Sequence, residues 1–217
     1  MQIRHDVMPA TDGAVRPSSA RGPAQNAARM QVLSVNVGRA VPRDIQGRRV
    51  LTAIAKQPVS GPVALGELGL AGDEQADPTV HGGLRKAVYA YPKAHYAFWQ
   101  TVRAQARASL WDDELPPGAM GENLTVDGLL EAQLWVGDRL RLPGCVLVVT
   151  EPRLPCFKFA AAMGFPQAVP LMTQSGYCGS YLAVAEPGQV AAGDAIRLEP
   201  GPREVSLREL FKLRGRR

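Results

Sequence analysis

Residues 151–159, EPRLPCFKF, place a single cysteine, Cys156, directly after a proline and between Arg153 and Lys158. Pro152 and Pro155 remove two backbone donors and most of the local freedom, so the loop geometry is set before any ligand arrives. Cations on both sides stabilise a thiolate and lower its pKa where their charged ends face the sulfur. A thiolate suits nucleophilic sulfur chemistry or a soft metal. Most cysteines are small buried hydrophobes. That reading fits the other two, since Cys145 opens the apolar run CVLVVT and Cys178 lies among small residues in SGYCGSY.

Two further polar loops carry candidate binding groups. In GLAGDEQADPTVHGGLRKAV (69–88), His81-Gly82-Gly83 is followed by Arg85 and Lys86. Glycines let backbone N–H groups approach a ligand, and N–H groups beside cations make a concavity for an anion such as phosphate. A plain turn with an exposed histidine is the alternative for HGG alone. In GAMGENLTVDGL (118–129), Glu122 and Asn123 are placed to cap or orient a neighbour, and a turn with local Asn bonding explains them equally well. Other chemistries lack their patterns. The three His and three Cys show no zinc-ligand spacing. G-x-S-x-G, the P-loop and G-x-G-x-x-G are absent.

The elements that must position these loops are mostly short strands. QVLSVNV (31–37) alternates, with Leu33, Val35 and Val37 on one face. RVLTAIAK (49–56) and KAVYAY (86–91) are further strand candidates, and CVLVVT (145–150) is apolar enough to be buried on both sides. VGDRLRLPG (136–144) and AGDAIRLEPG (192–201) nearly repeat, which predicts two strands entered by the same Gly-Asp turn. YLAVA (181–185) is another strand. Apolar residues three or four apart predict one long helix over 93–110. FKFAAAMG (157–164) and QAVPLMTQ (167–174) predict short helices, the second broken by Pro170. Strands joined by Gly/Pro turns, with one long helix, predict a mainly β fold, a closed or nearly closed β-barrel with helical insertions.

At 217 residues and 46% hydrophobic, the chain is long enough for a sizeable core. Residues 1–29, rich in Ala, Pro, Ser, Gly and Arg, predict a flexible extension, residues 30–200 one domain, and 201–217 a short basic tail. The net charge of +5 sits at the ends. Residues 203–217 hold six basic and two acidic side chains, and residues 1–29 hold four and two, which leaves 30–202 at −1. A near-neutral body argues against nucleic acid as a partner. The chain has no apolar run of membrane-spanning length and no secretory signal pattern, and its three cysteines are unpaired in sequence. These features place it in a reducing compartment, the cytoplasm.

Taken in order, GLAGDEQADPTVHGG…KAVYAYP, MGENLTVDGL, VGDRLRL…VTEPRLPCFKF and SGYCGSYLAV…GQVAAGDAIRL resemble the MOSC domain family (molybdenum-cofactor sulfurase C-terminal domains), in particular its bacterial YiiM-like branch. The resemblance implies a barrel of the pyruvate-kinase type and a bound molybdenum cofactor, molybdopterin with Mo. It puts Cys156 at the family cysteine that ligates Mo in metal-holding relatives. His81, Gly82, Gly83, Lys86, Glu122, Asn123, Arg153 and Lys158 are the expected cofactor-binding residues. The implied activity is reduction of N-hydroxylated compounds such as 6-hydroxylaminopurine. Because no flavin or iron–sulfur motif occurs in the chain, an external electron donor protein is expected beside the small-molecule substrate. A sulfur carrier using a Cys156 persulfide, or a non-enzymatic cofactor-binding module, are the competing classes. Two departures from the pattern stand out. Arg85 replaces an acidic residue of many relatives, and VSLRELFKLRGRR looks like the start of a C-terminal helical region that longer relatives continue.

Overall fold

The computed structural model describes residues 30–77 and 82–215. His81 and the N-terminal stretch 1–29 lie outside the described residues. The chain runs through β1 (Gln31–Val37), β2 (Val41–Ile45), β3 (Arg48–Thr52), β4 (Gln57–Val59), β5 (Val63–Gly66), β6 (Gly69–Leu70) and β7 (Val88–Pro92). Then come α1 (Tyr96–Gln105), β8 (Leu124–Asp127), β9 (Arg139–Arg141), β10 (Val146–Pro152), α2 (Phe157–Met163) and α3 (Ala168–Ser175). The chain continues through β11 (Ser180–Glu186), β12 (Gly188–Val190), β13 (Arg197–Glu199) and α4 (Leu207–Arg214).

Eight strands form one mixed sheet in the order β13-β9-β10-β11-β7-β8-β1-β4, with β12-β5-β6 and the β2-β3 hairpin as separate small sheets. Only the β7–β8 pair is parallel among these ladders, and α1 lies in its crossover. The expected closed barrel is therefore corrected to a large open sheet with helices. The reason lies at the edge of β1. Its C-terminal half is taken by β4, through Val35↔Val59 to Val37↔Gln57. Its N-terminal end meets the opposite end of the sheet in a single bridge, Gln31↔Ala195. Beyond that bridge the chain leaves to pair Arg197–Glu199 with β9, so among the described residues no continuous ladder joins the two edges.

The near-repeated segments become partners, since Arg141, Leu140 and Arg139 lie opposite Arg197, Leu198 and Glu199. Each Gly-Asp turn is locked in the same way. The Asp138 carboxylate accepts the Trp135 N–H at 2.9 Å, and that of Asp194 accepts the Ala191 N–H at 2.9 Å. In β1 a register shift between Val32 and Ser34 turns Leu33 outward, leaving it 39% exposed while Val32 and Val35 are fully buried. The long helix ends earlier than its periodicity suggests: Arg107 adopts φ +59°, which helical continuation does not allow, and Leu110 and Trp111 are exposed. Pro170 does not break α3. It occupies the third helical position, where a backbone N–H has no intrahelical acceptor anyway.

Apolar residues of the sheet form one core, and a second, aromatic cluster (Tyr89, Tyr91, Tyr96, Trp99, Phe159) packs the sheet against α1, α2 and α3. The C-terminal segment is a well-formed helix. Ser206 and Glu209 make a reciprocal capping box, Leu207 and Phe211 are buried, and α4 packs on β10.

Candidate functional site

The end of β10 and the start of α2 meet the ends of β3 and β7 at one open cleft of about 640 Å³, counting the part open to solvent. Lys86, Asn123, Arg153, Cys156 and Lys158 all contribute to its wall, although they are spread over more than seventy positions of sequence. Cys156 is half-buried and is the N-cap of α2, with extended backbone and its carbonyl accepting the Phe159 N–H at 2.9 Å. That position favours negative charge through the exposed N–H groups of the first turn. None of the three cysteines is in a disulfide. Cys178 is fully buried, with burial pushing its thiol well up, and burial likewise raises Cys145 to about 11.

Arg153 is 4% exposed. Its guanidinium donates to the Met120 carbonyl and lies 5.0 Å from the Tyr89 ring centre and 4.9 Å from that of Phe159. Burial alone lowers its pKa, but the surrounding Tyr89 and Tyr181 phenols and the Cys156 thiol more than offset this and raise it, so the charge is permanent. Lys158 Nζ donates to the Leu51 carbonyl at 3.1 Å, tying α2 to the β2–β3 hairpin. Lys86 Nζ stands 5.7 Å from the Tyr181 ring centre.

Asn123 is used completely. Its side-chain oxygen accepts the Tyr89 N–H at 3.0 Å, and its Nδ2 donates to Asp73 Oδ2 at 2.8 Å and to the Asn36 carbonyl at 3.3 Å. Glu122 points the other way. Its carboxylate, fully buried, accepts from the Tyr96 hydroxyl, the Thr125 hydroxyl (2.7 Å) and the Gly118 and Met120 N–H groups (2.9 and 3.0 Å). Burial raises its pKa in spite of those donors. Gly82 and Gly83 do not line the cleft and instead pack on Gln75, which does. The Gly83 N–H donates to Gln75 Oε1 at 2.8 Å, and a Cβ on Gly82 would come within 2.2 Å of that same oxygen.

Sequence reasoning missed Lys56 and Asp73. They form a buried ion pair in the cleft wall, each side chain 8% exposed. Asp73 also accepts the Gly38 N–H at 2.8 Å as well as Asn123. The sequence signal of Asp73 is the DE pair of GLAGDEQ, in the same loop as His81-Gly82-Gly83. Among the described residues no group of three or more His, Cys, Asp or Glu is placed to hold a metal ion. No described helix is long and apolar enough to cross a membrane.

A family model for the MOSC domain matches residues 77–197. The chain is 39% identical over 170 residues to the uncharacterised protein YflK of Bacillus subtilis, covering 78% of this chain and 73% of that one. It is 37% identical over 158 residues to YiiM of Escherichia coli (73% and 68%). A Gibberella moniliformis protein named Reductase is 34% identical over 172 residues, 79% of this chain but 29% of that longer one. The crystal structure of YiiM from Geobacillus stearothermophilus superposes with a TM-score of 0.67 at 30% identity, over 86% of this chain and 84% of that one. The chain belongs to the MOSC domain family. Within it, the sequence and structure matches make it a YiiM-like protein.

Proposed function

We propose that this protein binds the molybdenum cofactor in the Cys156 cleft and reduces N-hydroxylated compounds, hydroxylaminopurines among them, with electrons from an external donor protein. The observation that carries this reading is the meeting of one thiol at a helix N-terminus with Arg153, Lys158 and Lys86 in a single cleft. The residues fit the group. A phosphate-bearing dithiolene needs cations, a soft protein ligand and flat walls for its pterin ring. The cleft offers the three cations, the Cys156 sulfur and the rings of Tyr89 and Tyr181. Membership of the MOSC family and the fungal relative named Reductase support the redox assignment.

Cys156 would be the protein ligand of the metal, and the bound cofactor would supply two-electron chemistry at molybdenum. The chain's own part is positional. Proline-fixed backbone sets the sulfur, Arg153 supplies a permanent buried charge, and the Asp73–Asn123 pair fixes another part of the lining. Expression in a molybdenum-replete, cofactor-competent host tests the reading. Wild-type protein should carry about one Mo per chain and reduce a hydroxylaminopurine with a chemical donor, and Cys156→Ser should lose both. Metal-free protein carrying cyanide-labile sulfur on Cys156 would instead identify a sulfur carrier.

A further inference from the structure

A second, larger cleft runs alongside the first between the β2–β3 hairpin, the 112–119 loop and α2. The two share only Ile54, Lys56 and Lys158, so these three side chains form the partition between them. Lys158 Nζ already donates to the Leu51 carbonyl. Lys56 is different. Its ammonium has three N–H bonds, and Asp73 is its single hydrogen-bond acceptor among the described residues. Among the described residues two of its N–H bonds find no acceptor, and a buried cation is stabilised when a ligand accepts them. The side chain is 8% exposed, and its opening is toward the clefts it lines.

We propose that Lys56 is a catalytic residue of the partition, donating to and then protonating the oxygen of an N-hydroxylated substrate that enters through the second cleft. The inference rests on the reductase reading above. The overall step is R–NH–OH + 2 H⁺ + 2 e⁻ → R–NH₂ + H₂O, with electrons from the external donor. The N–O bond breaks, Lys56 gives one proton to the departing oxygen, and solvent supplies the other to nitrogen. Neutral Lys56 then regains its proton from solvent, held in place by its hydrogen bond to Asp73.

The charges around Lys56 suit this. Burial lowers its pKa, Asp73 and Glu122 raise it, and Arg153 on the facing loop lowers it again, which leaves a net lowered ammonium. Arg153 and the buried phenols Tyr89 and Tyr181 all shift upward and hold their protons. Lys56 is thus a cation of the wall shifted toward proton release.

The test uses Lys56→Met, Lys56→Arg and the charge-neutral double variant Lys56→Met/Asp73→Asn, which guards against misfolding around an orphaned Asp73. Three quantities are read: Mo content, calorimetric binding of an N-hydroxylated purine to cofactor-free protein, and the pH profile of kcat. Lys56→Met and the double variant should keep Mo, bind the purine about tenfold more weakly and lose about 100-fold in kcat. Lys56→Arg should keep binding within about threefold, lose kcat, and lose the decline of kcat toward high pH. Unchanged purine binding in the folded Met variants overturns the proposal. So does loss of Mo from them, since Lys56 would then belong to the cofactor cradle. Wild type that binds the purine through Lys56 yet neither holds Mo nor reduces it leaves this contact standing and sinks the reductase reading instead.

Discussion

Replacing Asp73 by alanine isolates what the cleft wall costs and what holds it. The carboxylate is the acceptor for Lys56, for the Gly38 N–H and for Asn123 Nδ2. Removing it leaves an ammonium that is 8% exposed without its hydrogen-bonded anion, and removing one partner of a buried pair costs about 3–5 kcal/mol. The orphaned Gly38 N–H pushes the value toward the upper end. In a domain of this size about 1 kcal/mol shifts Tm by roughly 2–4 °C, so the variant should melt roughly 6–20 °C lower near neutral pH.

The pH dependence separates this account from a generic loss of packing. Lys56 is already lowered by burial, with Asp73 opposing, so the variant's Lys56 falls further still. Between that lower folded value and the ordinary 10.5, the unfolded chain holds a proton that the folded variant lacks. Stability of the variant therefore rises with pH there, at up to about 1.4 kcal/mol per unit. Wild type begins the same rise only from its own, higher folded value. The gap between the two should be widest near neutrality and narrow as pH rises toward 10. Urea unfolding followed by tryptophan fluorescence at several pH values between 6 and 10 measures it. A gap below about 1 kcal/mol throughout, or one that widens with pH, refutes the reasoning. Lys56→Met/Asp73→Ala should recover part of the loss.

Three other outcomes are expected. Iodoacetamide at pH 8 should label the cofactor-free protein at Cys156 and leave Cys156→Ser unlabelled, because Cys145, raised to about 11, is ionised in only about one molecule in a thousand and Cys178 is fully buried. Labelling of Cys145 or Cys178 at a comparable rate would contradict this. Gly179→Ala should destabilise by more than about 3 kcal/mol in urea unfolding, since its φ is +65° and a Cβ would stand 2.6 Å from the Ala90 carbonyl oxygen and 2.8 Å from the Tyr89 and Tyr91 rings. Glu122, raised by burial, binds more protons folded than unfolded between 4.5 and its folded value, so wild type should lose stability relative to Glu122→Gln as pH rises through that window. Melting curves of both from pH 4 to 8 check the sign.

What could be read from sequence divides along a physical line. Strands whose character is local were legible: β10 as a doubly buried apolar run, and β9 and β13 from their shared Gly-Asp turns, although not that the two pair. Whether a sheet closes is a matter of long-range pairing, and an alternating strand looks the same in an open sheet as in a barrel. Here the decision rests on β4 occupying half the edge of β1, a fact with no signature in either segment alone. The stiffness and charge of the Cys156 loop were legible for the same local reason, as proline and basic residues are neighbours in the chain. That Arg153 would be held between Tyr89 and Phe159 was not.

The pair Glu122-Asn123 shows why adjacency misleads at this site. In sequence both belong to one polar motif and invite one role. Gly121 precedes them at φ +81°, with Ile54 so close that a Cβ would come within 2.8 Å. Glu122 and Asn123 then lead into β8, and their side chains take different partners. Asn123 reaches Asp73 at the cleft, while Glu122 turns into the core and gathers the donors of Tyr96, Thr125 and its own loop. The two residues, just ahead of β8, act on the site in different directions. Asn123 fixes the wall that carries Asp73 and Lys56, and Glu122 fixes the Gly118–Met120 backbone whose last carbonyl receives Arg153. A substitution at either should thus move a different cation of the cleft, Lys56 in one case and Arg153 in the other.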